Sequence, residues 1–141
     1  MLAKHRNELN LTHSEVFFFC YTISMTKTQN IVRWILLILV TIVLLGVGGM
    51  KLSGSPMEMT MFAGWGYPVW FMYFIGACEV LGAIGLHVKK VSRIAAICLI
   101  MLLCGAVGTH VFNAEGLVAP IPATVLILCL FGILYLDKKK A

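Results

Sequence analysis

The sequence predicts an all-α fold, a four-transmembrane-helix bundle with both termini cytoplasmic. Three observations carry that expectation. The 141 residues are 60% hydrophobic and only 12% charged, and their mean hydropathy of +0.95 lies well outside the soluble globular class. Four apolar runs, residues 31–50, 68–86, 94–112 and 118–136, are each long enough to cross roughly 30 Å of hydrocarbon. If the four runs alternate in direction, Lys4, Arg6, Lys27, Arg33, Lys89, Lys90, Arg93, Lys138, Lys139 and Lys140 fall on one side, and only Lys51 falls on the other. That asymmetry is the positive-inside signature. It accounts for the net charge of +5 without nucleic acid.

The expected organisation is an N-terminal extension over residues 1–30, a membrane domain over 31–137 and a basic tail over 138–141. Within the extension, FFFCYTIS is apolar yet too short to span. It suits an interfacial anchor. A start of translation at Met25 would instead leave the basic leader MTKTQNIVRW directly before the first span. The Asn10-Leu11-Thr12 sequon falls on the predicted cytoplasmic side, where it has no use. The first span ends in Gly46, Gly48 and Gly49, which predict close helix packing, and then reaches Lys51. Two readings of Lys51 stand side by side: its ammonium snorkels to the headgroups, or it pairs with Glu58, Glu115 or an anionic ligand between the outer helix ends.

The outer connection carries Met57, Met59 and Met61 at alternate positions. Thioethers are soft ligands that suit Cu(I). The competing reading is a short interfacial segment, with Trp65, Tyr67 and Trp70 as an aromatic belt. No other metal site is expected.

The second span holds Glu79 in the middle of a bilayer-length apolar run. An ionisable group at that depth is costly unless it faces protein or water, so it marks a functional or assembly position. On a helical wheel Met72, Gly76, Gly82 and Ala83 share its face. Small residues there, with Gly105 on the third span, predict close approach of another helix. Glu79 lies roughly 16 Å along an ideal helix from Pro68. Contact with Lys51 or His110, both near the outer surface, therefore requires a tilted or buried outer end, or water between.

His87 sits in a basic inner loop and reads as a surface residue near anionic lipid. His110, near the outer end of the third span, either caps its last turn or faces inward to a proton or ligand. The fourth span opens at Pro120 and Pro122 and has no charge before Asp137, which gives it a structural role. The five cysteines form no C-x-x-C and read as small apolar residues. No nucleotide-binding glycine loop and no C-x-x-C-H haem signature is present, so no catalytic residue and no covalently bound cofactor is expected.

Lys51-Leu52, Gly66-Tyr67-Pro68, Gly76-x-x-Glu79-x-x-Gly82, Gly105-Ala106-x-x-x-His110 and Glu115-Gly116 together resemble the DoxX and DoxX-like family of small four-helix membrane proteins. The resemblance covers about residues 30–137. It implies a multi-pass protein of the bacterial inner membrane, with relatives that are subunits of quinone-linked oxidoreductases or redox-stress complexes. The first functional expectation is thus a membrane subunit of a redox complex, with Glu79, His110 and Lys51 as a polar site for a quinone headgroup or a proton. Its partners would be membrane lipid and redox proteins, or further copies of the chain. The alternatives are an assembly or scaffold protein in which Glu79 only bonds a neighbouring helix, and a small proton-coupled exporter with Trp70, Tyr73 and Phe74 as an aromatic cage.

Overall fold

Hydrocarbon offers no partners to backbone polar groups, so apolar runs of this length satisfy their own N–H and C=O groups as helices. The computed structural model describes the backbone of residues 13–116 and 118–140, and the side chains of residues 27–116 and 118–137. Five helices make up the regular structure of the described residues: α1 (His13–Leu52), α2 (Pro56–Gly64), α3 (Val69–Gly85), α4 (Ser92–Phe112) and α5 (Ile121–Lys140). The chain divides into two units, Met1–Val32 and Arg33–Ala141. Of the first, residues 1–12 with the sequon lie outside the described residues, as do the side chains of FFFCYTIS. The second holds the core and the candidate site.

Within α1, Lys27–Leu52 is long and apolar enough to cross a membrane, and so is α4. Helices α2 and α3 meet at 117° and together make a third such segment, broken in the middle. The apolar part of α5, Ile121–Asp137, is shorter. The break between α2 and α3 follows from its residues. Gly66 takes φ 78°, a conformation that side chains disfavour, and Pro68 at the N-cap of α3 offers no N–H to continue a helix. Alternation of Met57, Met59 and Met61 suits a strand, yet Pro56 in the first turn starts a helix of nine residues.

Buried residues recur at spacings of three and four: Leu37, Val40 and Leu44 on α1, Met72, Gly76, Glu79 and Ala83 on α3, Ala96, Leu99 and Leu103 on α4, and Leu126, Leu130 and Ile133 on α5. The opposite faces are apolar as well, with Leu81 68%, Met101 71% and Leu128 65% exposed. A protein apolar both inside and out is built for lipid contact.

The glycines divide into two groups. A Cβ on Gly76 would lie 2.8 Å from the Lys51 Cβ and 2.9 Å from the Gly48 carbonyl oxygen, and one on Gly48 would lie 3.0 Å from the Gly76 oxygen. The last turns of α1 therefore cross the middle of α3 backbone to backbone. Gly82 likewise admits Leu99 of α4. Gly105 was expected to do the same, but nothing lies within 4 Å of its Cβ position, and Gly46 and Gly49 are equally open.

At the far end of the second unit, Arg33 of α1 forms an ion pair with Asp137 of α5. Asp137 thus ties the fourth apolar run to the first. His87 is exposed, as expected of a surface residue, and its Nε2 lies 2.9 Å from the Thr41 hydroxyl on α1.

Candidate functional site

Gly48 precedes Lys51 by three residues, and Gly76 precedes Glu79 by three. Because the two glycines mark the crossing, one helical turn further on the two charged side chains meet. Lys51 Nζ lies 3.1 and 3.3 Å from the two carboxylate oxygens of Glu79. Glu58 of α2 stands 4.0 Å from the same ammonium. Only 7% of Lys51 and 4% of Glu79 is exposed. Snorkelling, one reading of Lys51, is therefore replaced by burial. The C-terminal end of α1 stops opposite the middle of α3, and α2, anchored by buried Phe62, supplies the third charge. Glu115 has other partners.

Above the pair lies a cavity of about 380 Å³. Lys51, Glu58 and Glu79 line one part of it, and Trp65, Tyr67 and His110 another. Its apolar wall includes Met61, Phe71 and Met101, and Gly105 and Ala106 leave room on the α4 side. The size and the balance of an apolar wall with a few convergent polar groups are those of small-molecule sites.

A second polar cluster forms the rim. His110 Nδ1 and the Glu115 carboxylate are 2.6 Å apart, and Trp65 Nε1–H donates to the other carboxylate oxygen. A carboxylate only accepts, so Nδ1 carries the proton and Nε2 is left for another partner. These two hydrogen bonds hold the Glu115 carboxyl below its ordinary value of 4.5, the one from His110 contributing most. Ala114 takes φ 53°, rare for a residue with a side chain, and this turn brings Glu115 back onto His110. The Tyr67 hydroxyl lies 3.3 Å from that of Thr109. The Trp65 and His110 rings meet edge to face with centroids 5.2 Å apart.

The geometry thus brings Lys51, Glu79 and His110 to one cavity, the first two in contact and the third on its wall. It does not bring together Met57, Met59 and Met61. Residues two apart on a helix point to opposite sides: Met57 is 69% exposed, Met59 lies beside Gly54, and Met61 lines the cavity. No group of three His, Cys, Asp or Glu suited to a metal occurs among the described residues. Trp70, Tyr73 and Phe74, the expected cage, are not part of the cavity lining. Sequence reasoning missed the roles of Trp65 and Tyr67, which had been assigned only to an interfacial belt. The available signal was the short Asn113-Ala114-Glu115-Gly116 link after His110, which keeps an acid within reach of that histidine.

Fold and site together define a small all-α membrane protein with a buried ion pair beneath an aromatic-lined cavity. The chain belongs to the DoxX-like family, whose family model matches residues 35–132. It is similar to the uncharacterised protein YdgD of Bacillus subtilis (strain 168), with 30% identity over 76 residues that cover 51% of this chain and 67% of the relative. No solved structure matches it.

Proposed function

We propose that this chain is a four-span protein of a bacterial inner membrane, with both termini cytoplasmic, that serves a redox complex by holding a quinone headgroup in the cavity above Lys51 and Glu79. The carrying observation is the cavity itself, which unites hydrogen-bond donors with flat aromatic walls. A quinone is a planar apolar ring with carbonyl oxygens on opposite edges, and its reduction takes up two electrons, supplied here by a partner redox protein, and two protons. Lys51, His110 and Tyr67 all line the cavity and supply the polar groups for those oxygens. Phe71 and Trp65 add aromatic surface to the lining. Glu79 holds the Lys51 ammonium in place, and the rim hydrogen bonds fix His110 with Nε2 available as donor or acceptor. The lysines and arginines clustered at one set of helix ends support the orientation.

Gly105 supplies the test, because a side chain there meets nothing within 4 Å and enters the cavity. Purified protein carrying Trp34→Phe and Trp70→Phe, which leaves Trp65 as its one tryptophan, is titrated in detergent with a short-chain ubiquinone and a short-chain menaquinone while its fluorescence is followed. Saturable quenching is expected, and it should be lost in Gly105→Leu at an unchanged Tm. Equal quenching in both proteins would remove the quinone reading and leave the assembly role for the ion pair.

A further inference from the structure

The polar groups lining the cavity above Lys51 divide into those spent on one another and those still open to a ligand. Lys51 turns two of its three N–H bonds to the Glu79 oxygens, at 3.3 and 3.1 Å, and keeps one. Trp65 Nε1–H is given to Glu115. The Thr109 hydroxyl donates to the Gly105 carbonyl at 3.1 Å and has only one proton to give, so in its 3.3 Å contact with Tyr67 the tyrosine is the donor. Tyr67 is left with an accepting oxygen. His110 commits its Nδ1–H to Glu115, and a neutral imidazole then accepts at Nε2.

Glu58 tips the balance further. Its carboxylate has no hydrogen bond among the described residues, and the Lys51 ammonium, 4.0 Å away, is beyond hydrogen-bond reach. The side chain is only 13% exposed. Among the described residues the one polar side-chain atom that is both fully covered and unpaired is the Ser92 hydroxyl, so the Glu58 oxygens keep open surface. A largely buried carboxylate without a donor is costly unless a bound molecule supplies one.

Open acceptors thus outnumber open donors: the Glu58 carboxylate, the Tyr67 oxygen and His110 Nε2 stand against a single N–H of Lys51. A quinone carries acceptor oxygens only, whereas the quinol formed from it by two electrons and two protons carries two O–H donors. We propose that the cavity selects the quinol, with one O–H donating to Glu58 and with Tyr67 and His110 as acceptors for the second. This inference rests on the quinone reading and adds which redox form the site favours. Tighter binding of the quinol makes the bound quinone easier to reduce, by about 30 mV for each tenfold preference in a two-electron couple.

The test is anaerobic calorimetry on the full chain in a non-ionic detergent, with a short-chain ubiquinone and the ubiquinol prepared from it. The quinol should bind roughly tenfold more tightly, the worth of one hydrogen bond to a charged group. Glu58→Gln should weaken quinol binding by about that factor without weakening quinone binding, which brings the two forms close to parity. Tyr67→Phe, which removes an acceptor and keeps the ring, should weaken the quinol a few-fold and leave the quinone unchanged. Binding of neither form removes the quinone reading and this inference with it. Quinone binding as tight as quinol binding, or a quinol preference that both variants retain, overturns the inference alone and leaves the quinone reading standing.

Discussion

Two carboxylates with a basic partner each stand at the cavity, Glu79 in its lining and Glu115 behind His110, yet they differ in what they can do. Glu79 and Lys51 are buried against one another at a glycine crossing, whereas Glu115 and His110 sit in an exposed rim. Burial makes the first pair obligatory: each charge has lost its water and depends on the other. Exposure makes the second pair weak but adjustable, since solvent can replace either partner. The molecule thus has a fixed polar floor and a responsive rim around one small volume.

The largest effect that would break this contrast comes from removing one charge of the floor. Lys51→Met should destabilise the protein by about 3–5 kcal/mol, because Glu79 is left buried without a cation. Adding Glu79→Leu should recover most of that loss. Reversible unfolding in mixed micelles measures both; equal destabilisation by the single and double changes would show that the pair is not coupled. Next comes the crossing. Gly76→Ala should cost about 1–3 kcal/mol through overlap with the Lys51 Cβ and the Gly48 backbone. At Gly49, where nothing lies within 4 Å, the same change should stabilise by about 0.5–1 kcal/mol through helix propensity.

The smallest effect belongs to the rim. Folding lowers the Glu115 carboxyl below 4.5, so its contribution to stability is complete above that ordinary value. It is lost as pH falls through the lowered folded value. Trp65 fluorescence, read in a Trp34→Phe, Trp70→Phe background, should therefore change on acidification below the usual carboxylate range. In Glu115→Gln it should not respond.

Much of the floor was legible in the sequence, because an α-helix fixes which residues share a face. The wheel through Glu79 picks out Met72, Gly76, Gly82 and Ala83; Met72, Gly76 and Ala83 are buried as it is, while Gly82 is only half-buried and meets Leu99 of α4. What the wheel could not give was depth. Lys51 follows the first apolar run, which places it at a surface if every helix runs straight through. The 117° break between α2 and α3 changes that by folding α2 over the end of α1. Such a bend depends on the three-dimensional path after Gly66 and Pro68, not on composition. The same limit hid the rim: Trp65 and Glu115 are 50 residues apart, and their hydrogen bond exists only because two loops converge. Gly105 shows the converse, since a glycine that lines open space and one that admits a helix look alike in sequence.

The claim that the floor pair serves a ligand, and not packing alone, is tested most directly in the Lys51→Met, Glu79→Leu double variant. It should stay folded, with stability close to the parent protein, while saturable quenching of Trp65 by a short-chain quinone is lost. Quinone binding of unchanged Kd in that folded variant would contradict the account.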